Sequence, residues 1–470
     1  MSVWNDYVRG IDYNNAVGLY DTVETNENFF IGKQWEGVVS NGLPTPVFNF
    51  IKRVVNFLVA SVSADRLAMR AVPVGAESAS DALNGALETL IEENDLGSLV
   101  RRMMRNAAVD GDGCIYAYWD ADAGDVRAEV LENTRVIFGD PNEKRVQKQP
   151  YIIIASREDA EHARARAFRY GSADAVRPDG DETGLIRNEP DGKTTVLLRL
   201  RRGGDGHIIA GEYVRNGVLR PEWDTGLTLY PLVWLSWDEV RDSYHGMAAV
   251  TGLIPNQVFV NKLFAMAMIS LMTTAYPKVV YDRTRIERWD NRVGAAIGVA
   301  GGDVANVARI IDPAQISPQI SQFIDLAISY TQNFMGATDT ALGNIRPENT
   351  SAIIAVQKAS AIPLEMVRLE LHRALEELGR IFVDFMASSY GRRDASGKGL
   401  FDYSTLRGRS FKLKLDVGAS SYWSEVTAVQ TLDNLLSQGH ISLAEYLERI
   451  PEGYITGRDE LLRRAKNLPV

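Results

Sequence analysis

The chain has very little cysteine. Only Cys114 is present among 470 residues, so an internal disulfide cannot form. The stretch around it, residues 114–119, is apolar, whereas reactive thiols need an electropositive and partly open setting; we therefore expect a buried core thiol. A single cysteine excludes the disulfide-rich secreted class and is typical of a reducing compartment. The first residues also lack a basic patch followed by an apolar run, so no secretory signal is expected.

The sequence also lacks the common signatures of catalytic and metal sites. Its nearest approach to a phosphate-binding loop, residues 391–399, has the wrong spacing and ends in Gly399 where Ser or Thr is needed. Residues 110–112 and 120–122 imitate the start of a calcium loop but lack the bidentate Glu at its twelfth position. The five histidines are widely separated, and none has a second ligand at metal spacing. We expect no catalytic residues, no metal and no cofactor.

An excess of basic charge is missing as well. The 51 Lys and Arg residues are outnumbered by 61 Asp and Glu residues, which gives a net charge of −10. A protein that holds DNA does so by neutralising phosphates with basic side chains, so this balance argues against tight DNA binding. It still permits a protein that handles DNA without holding it.

The most apolar segment, residues 258–276, is too short in its uncharged part to predict a membrane span. Asn261 and Lys262 lie near its start, and only residues 263–276 are free of charge. About 20 apolar residues are needed to cross a bilayer. We therefore expect a helix packed against protein.

The first half of the chain mixes helical and strand periods. Apolar residues at steps of three and four predict amphipathic helices at 47–60 and 78–105. From Gly113 onward the period changes to two, which is typical of strands. Predicted strands are 114–119 and 126–130, joined as a hairpin, then 151–155, 194–200 and 207–210. The region up to about His245 is expected to be a mixed body, and the predicted fold class is α+β.

The second half is dominated by long helices. The predicted elements are a helix at 246–275, short strands at 278–282 and 308–312 around an Arg-rich turn-helix at 283–292, a helix at 317–338, a loop at 340–350, a helix at 351–390, a strand at 410–416, and short helices from 424 to 464. The helix at 351–390 has the clearest periodicity, with apolar residues at 364, 367, 371, 374, 378, 381 and 385. Pro363 removes a backbone hydrogen bond inside it, so we predict a kink near Ser360.

This order of elements resembles that of portal proteins of long-tailed double-stranded DNA bacteriophages. Three short segments occur at matching places, 29–35 (FFIGKQW), 343–352 (GNIRPENTSA) and 437–443 (SQGHISL). The resemblance covers nearly the whole chain, and it rests on the order of the elements because the individual segments are weak motifs.

The resemblance implies a portal-like fold with named parts. These are a wing of mixed α/β structure at 1–245, a stem helix at 246–275, a clip at 276–316, a second stem helix at 317–339, a tunnel loop at 340–350, a kinked long helix of the wing at 351–391, a wing strand at 392–425 and a crown at 426–470.

It also implies a function. Portal proteins form a ring, usually of twelve subunits, at one capsid vertex, through which DNA is packaged and ejected. The implied partners are other copies of the chain, double-stranded DNA in transit, the terminase large subunit, a head–tail adaptor, and the major capsid and scaffolding proteins. The implied location is the virion, with assembly in the bacterial cytoplasm and no membrane.

Two groups of residues are candidates for contacts. In the tunnel loop, Asn344, Arg346, Glu348 and Asn349 would face DNA. In the clip, the basic group Arg283, Arg285, Arg288 and Arg292 would form a contact surface for a partner.

Two alternatives remain open on the sequence alone. One is a soluble α+β enzyme with an unrecognised site, which would be a monomer with a compact pocket. The other is a membrane-associated protein that uses residues 258–276. Only the portal interpretation predicts a perforated ring.

Overall fold

A computed structural model describes most of the chain and mixes helices with small antiparallel sheets, which confirms the α+β class. The described residues are 2–63, 67–73, 77–186, 189–275, 278–290, 292, 295–311, 319–335, 362–394, 400–407, 411–417, 422–450, 455 and 457–466. The loop at 340–350 and the predicted kink near Ser360 lie outside them.

Twelve α-helices are present in the described ranges. Polar side chains begin several of them: Ser2 accepts a hydrogen bond from the Asn5 amide, and Asn49 accepts one from the Lys52 amide. The helices are α1 Val3–Ala16, α2 Leu19–Ile31, α3 Phe50–Val62, α4 Glu77–Glu93, α5 Leu96–Asp110, α6 Ala160–Phe168, α7 Ala249–Ala275, α8 Gln319–Phe334, α9 Glu365–Phe385, α10 Tyr422–Ser437, α11 Leu443–Arg449 and α12 Arg458–Lys466.

The strands form five antiparallel sheets among the described residues. They are β1 Leu67–Pro73, β2 Asp112–Asp120, β3 Asp125–Leu131, β4 Val136–Phe138, β5 Tyr151–Asp159, β6 Lys193–Arg202, β7 Ile208–Val214, β8 Gly217–Asp224, β9 Leu232–Ser236, β10 Lys278–Tyr281, β11 Ala308–Ile311, β12 Arg392–Asp394, β13 Leu400–Asp402 and β14 Phe411–Val417. The largest sheet has the order β4-β5-β6-β7-β8, and a second has the order β3-β2-β9. The predicted hairpin is confirmed as β2–β3.

The first two helices pack on one face of the five-stranded sheet. Val3, Tyr7 and Ile11 of α1 and Leu19 of α2 are buried with Ile153 of β5. The alternating pattern of β5 explains this contact, because successive strand residues point to opposite faces of the sheet.

The main core lies between the three-stranded sheet and helices α3, α5 and α9. Cys114 sits in this core with no exposed surface, which confirms the predicted buried thiol. Burial raises the pKa of the Cys114 thiol well above its ordinary value, so the reactive thiolate is disfavoured.

Helix α9 confirms the strongest periodicity in the sequence. All seven predicted apolar positions from Leu364 to Phe385 are buried. Pro363 lies in a 3₁₀ turn, Ile362–Leu364, immediately before α9 begins, and a π-helical turn, Met386–Tyr390, follows its end. The predicted kink stays a prediction, because it depends on residues before Ile362.

Two predicted helices were wrong in detail. The helix expected at 78–105 is two helices, α4 and α5, because Asp95 between them adopts the left-handed conformation with φ of 43°. The turn-helix expected at 283–292 is a series of turns in its described residues, where Asp282 accepts hydrogen bonds from the Thr284 amide and hydroxyl.

Long-range pairing joins distant parts of the chain. Strand β14 pairs with β1, from Leu67 opposite Val417 to Pro73 opposite Phe411, as expected for a strand that returns to the body. The two short strands β10 and β11 pair with each other between α7 and α8. Helices α10, α11 and α12 form a separate cluster around Tyr446, Leu447 and Ile450.

Candidate assembly surface

The long helix α7 is buried at its start and exposed over the rest of its length. Val250, Leu253 and Val260 are buried in the main core, whereas no residue after Asn261 is. Met266 is 56% exposed and Leu271 is 64% exposed. By length and composition this helix could cross a membrane, and only 11% of its most apolar window is buried within the chain. An apolar helix left uncovered in this way needs a partner.

Helix α8 packs beside α7 and extends the exposed apolar surface. Asn256 donates a hydrogen bond to the Thr331 hydroxyl at 3.0 Å, and Ile324 is buried. Phe323 and Leu326 of α8 are exposed. We call residues 263–275 of α7 together with α8 the apolar helix pair.

A network of buried amide side chains fixes the start of α7 to the body. Gln257 donates to the Phe48 carbonyl at 2.8 Å and to Asn261 at 3.0 Å, and its own oxygen accepts from the Ile51 amide at 3.3 Å. Asn261 donates to Gln34 at 2.7 Å. Because buried amides are costly without partners, this network specifies one position for α7 on the body.

This network was missed by sequence reasoning. Gln34 belongs to the segment 29–35 that supports the resemblance, and it lies 227 residues from Asn261. The sequence does contain an indication of these buried amides. Gln257 and Asn261 are four residues apart inside the most apolar helix, and so share one face.

A second buried network lies immediately before α7. His245 is 2.8 Å from the Asp112 carboxylate through Nδ1 and 3.0 Å from the Asn14 side-chain oxygen through Nε2. The other Asp112 oxygen accepts from the Ser236 hydroxyl and from the Gly246 amide, both at 2.8 Å. The sequence showed His245 only as an isolated histidine, because its two partners come from distant elements, Asp112 from β2 and Asn14 from α1.

The same junction requires glycine at position 111. Gly111 has φ of 101°, and a Cβ atom there would lie 2.6 Å from the Gly246 carbonyl oxygen. The end of α5 and the start of α7 therefore approach at the backbone, and any side chain would push them apart.

The four predicted arginines of the segment between α7 and α8 do different things. Arg285 donates to the carbonyl oxygens of Gly301 and Asp303 and so holds the adjoining loop. Arg292 is paired with its neighbour Asp290 at 2.6 Å, and this hydrogen bond lowers the pKa of Asp290. Arg283 and Arg288 are exposed. Arg285 and Arg292 thus make hydrogen bonds within their own segment, and the side chains of Arg283, Arg288 and Arg292 are all exposed.

The other predicted contact residues, Asn344, Arg346, Glu348 and Asn349, lie outside the described residues. Among the residues described, one group has the geometry of metal ligands: the Nδ1 atom of His207 is 3.0 Å from Asp224 and 3.7 Å from Asp205. Hydrogen bonding to Asp224 raises the pKa of His207. Exposed carboxylates beside a histidine commonly form such ion pairs without a metal, so this group adds no function.

Comparison with known proteins identifies the family. The model of the phage P22-like portal protein matches residues 13–180 and 216–394, well over half of the chain. Among solved structures, a chain from the neck of an empty GTA particle, computed with C6 symmetry, aligns with a TM-score of 0.40 and 11% identity, covering 84% of this chain and 87% of that one. A TM-score of this size does not by itself establish a shared fold. No curated protein matches the sequence. The chain belongs to the phage P22-like portal protein family, whose members are structural components of phage particles and not enzymes.

Proposed function

We propose that this portal protein assembles into a ring of roughly twelve subunits at one capsid vertex, where it is the conduit for packaging and ejecting DNA. The observation that supports this proposal is the exposed apolar helix pair. A ring supplies a neighbouring copy on each side of every subunit, and so covers these helices without any other partner.

The energetics favour such an interface. Burying a large apolar side chain stabilises by about 1.5–3 kcal/mol relative to leaving it exposed. Met266, Leu271 and Met272 of α7 and Phe323 and Leu326 of α8 are each between roughly half and two thirds exposed in the single chain. Covering these five side chains would stabilise each subunit interface by on the order of 5 kcal/mol. A closed ring repeats that gain at every interface.

The parts of the chain then take the roles that the resemblance implies. In this proposal α7 and α8 form the stem, and the β10–β11 pair with its loop forms the clip between them. The body up to His245 forms the wing, together with α9 and the strand β14, and helices α10 to α12 form the crown. The direct pairing of β10 with β11 supports the clip as a unit.

The charge of the chain suits a conduit. With a net charge of −10, a ring of these subunits would carry many negative charges and would not hold DNA through many phosphate contacts. We propose that a few groups of the tunnel loop, Asn344, Arg346, Glu348 and Asn349, touch the DNA backbone transiently.

The clip arginines are proposed as a contact surface for the terminase large subunit or the head–tail adaptor. Arg283 and Arg288 carry this role, because Arg285 and Arg292 are occupied by contacts within their own segment. Basic side chains at the rim of an interface mainly steer association and respond to salt.

A bilayer is the other possible cover for α7, since the helix is long and apolar enough to cross one. The charged Lys262 near the middle of α7 weighs against that cover. Flotation with phospholipid vesicles separates the two: a ring-forming portal stays with the protein fraction, whereas a membrane protein rises with the lipid.

The proposal is tested by native mass spectrometry and negative-stain imaging of the purified chain. We expect a perforated ring with about twelve-fold symmetry. Changing both Met266 and Leu271 to Asp should give folded single chains, because these side chains are exposed before assembly and become buried only in the ring.

The matched control is Leu400→Asp. Leu400 is 82% exposed in β13, outside the apolar helix pair, so this variant should assemble like the parent. Rings from the double variant, or a monodisperse single-copy particle from the parent chain, would contradict the proposal.

A further inference from the structure

The loop between α2 and α3 presents apolar side chains to solvent. Residues 37–48 contain no charged side chain, although 24% of the whole chain is charged. The exposed apolar side chains of this loop are Val38, Val39, Leu43, Val47 and Phe48. Val39 is 81% exposed, close to the limit for a side chain on a folded protein. We call residues 37–48 the Val39 loop.

Side-chain hydrogen bonds close the base of the Val39 loop. The indole nitrogen of Trp35 donates to the Pro46 carbonyl at 2.9 Å. Gln34 donates to the side-chain oxygen of Asn49 at 3.2 Å, and its own oxygen accepts from Asn261 of α7. The loop is therefore fixed to the same buried network that positions α7.

The tip of the Val39 loop is a tight turn. The Leu43 amide donates to the Ser40 carbonyl at 2.9 Å, and the two residues between them, Asn41 and Gly42, have φ of 50° and 79°. Asn-Gly is the pair that most readily adopts positive φ at both central positions of a turn. A loop that is ordered before it binds loses little conformational entropy on binding, so this loop is suited to docking.

The apolar surface of the loop continues onto α7. The ring of Phe48 stacks on that of Phe264, with 3.9 Å between the ring centroids. Phe264 lies three residues beyond Asn261, where the buried part of α7 ends. A partner that covers the exposed part of α7 at this point therefore also reaches the Val39 loop.

Helix α8 carries a second apolar face that α7 does not cover. Its buried side, with Ile324 and Thr331, is directed towards the body. Phe323, Leu326 and Tyr330 are each about half exposed, and their spacing of three and four residues places them on one face. We call these three residues the Phe323 face. The only charged residue of α8 is Asp325.

The Val39 loop and the Phe323 face lie at the same level along the helix pair. The hydrogen bond from Asn256 to Thr331 aligns α7 with α8, which run antiparallel because β10 and β11 join their far ends. Phe264 follows Asn256 by eight residues and Phe323 precedes Thr331 by eight, which is about 12 Å along each helix. In a ring whose axis runs along these helices, rotation keeps every residue at its level.

We propose that the Val39 loop of one copy packs on the Phe323 face of the next copy. This inference rests on the proposed ring and names the two unlike faces that meet in it. Each copy offers both faces, so the contact can repeat around a closed ring. The loop and the face are both nearly free of charge, as the centre of a protein interface is.

Cysteine cross-linking tests this contact, since the one native cysteine, Cys114, has no exposed surface. Chains that carry only Val39→Cys are mixed with chains that carry only Phe323→Cys, assembled, and treated with a short bis-maleimide. We expect covalent dimers from the mixture and at least tenfold fewer from either variant alone. Because each chain has only one accessible thiol, every dimer reports a contact between two copies.

The control mixture replaces Val39→Cys with Leu400→Cys. Leu400 is 82% exposed and lies outside both faces, so it matches the accessibility of Val39 without the proposed contact. Dimer yields no higher than in this control would overturn the proposal. So would dimers from Val39→Cys alone, which would place loop against loop.

A charge at the tip of the loop gives an independent readout. Val39→Asp should raise about tenfold the chain concentration at which half of the chains are assembled, because the carboxylate would be buried in the ring. Leu400→Asp should leave that concentration unchanged. Both side chains are exposed in the single chain, so both variants should keep the circular dichroism spectrum of the parent. Equal assembly of the two variants would contradict the proposed contact.

Imaging of the same samples separates this inference from the proposed function. Rings that form without the cross-link between positions 39 and 323 overturn the contact and leave the ring itself standing. A parent chain that forms no ring overturns both.

Discussion

Asp110 and Asp112 are the same residue type two positions apart, yet their surroundings differ completely. Asp112 accepts hydrogen bonds from Ser236, Gly246 and Asn133 and lies against His245. Asp110 has none of these. The first carboxylate fixes the base of α7, and the second is left as a buried charge that the fold tolerates at a cost.

That cost predicts a change in stability. The folded pKa of Asp110 is raised to about 7, above its unfolded value, so the folded state binds the extra proton and this group's contribution to stability falls as pH rises from about 4 to 7. Asp110→Asn should raise the free energy of unfolding by up to about 4 kcal/mol at pH 8 and by about half as much at pH 5.5. Urea denaturation at both pH values measures it. A lower midpoint for the variant at pH 8 would show that the carboxylate has a stabilising partner.

The buried amides show where residue-level prediction stops. The long apolar stretch placed α7 correctly, but it gives no reason for Gln257 or Asn261 inside so apolar a helix. Their partners, Gln34 and the backbone near Phe48, are more than 200 residues away in sequence. Only the folded chain brings them together, so a single sequence shows the polar residues without their contacts.

At the scale of elements, helix α9 is the part of the fold that the sequence predicts best. Its apolar residues from Leu364 to Phe385, here called the seam, recur at steps of three and four without interruption. Each of them is buried against the main core. Periodicity works here because one face of the helix meets one continuous surface.

A charge in this seam should unfold the body. Leu371→Asp and Leu378→Asp each place a carboxylate at a fully buried position, and we expect a loss of about 3 kcal/mol or more and an insoluble or dispersed protein. Met366→Asp, at an exposed position of the same helix, is the control and should remain folded. Circular dichroism and soluble yield compare the three. An intact, soluble ring from either Leu variant would refute the assigned face.

The division between α4 and α5 is a helix break that apolar periodicity does not predict. Leu90 and Leu99 lie on either side of the break, and both contact the same core, so the apolar repeat continues across it. The break itself depends on Asn94 and Asp95. Asn94 bonds to the Val126 carbonyl and the Ala128 amide of β3, which are tertiary contacts. The local sequence pattern alone therefore predicts one continuous helix where the structure has two.

At the scale of the whole molecule, the order of elements predicted the family, while the contact residues stay predictions. Deleting residues 344–349 should spare ring assembly and impair DNA packaging, since the loop would touch DNA without joining subunits together. A packaging assay on assembled rings measures this, with ring formation scored by imaging. Unchanged packaging would remove the loop from the mechanism.

The outward-facing arginines give a second test at this scale. Arg283→Glu combined with Arg288→Glu should leave the ring intact and weaken binding of the motor or adaptor at least tenfold at low salt, with a smaller effect at high salt. Arg241→Glu, at a highly exposed site on the body, controls for the change in charge. Equal binding by both variants would place the partner surface elsewhere.

The pairing of β1 with β14 has a consequence for synthesis. Since Leu67 is aligned with Val417, this sheet can close only when almost the whole polypeptide has left the ribosome. A truncated product that ends before Phe411 would leave the backbone N–H and C=O groups along this edge of β1 unpaired. Unpaired strand edges favour aggregation. Interrupted translation should therefore yield insoluble fragments that are removed by proteolysis, so that only complete subunits would be available for assembly.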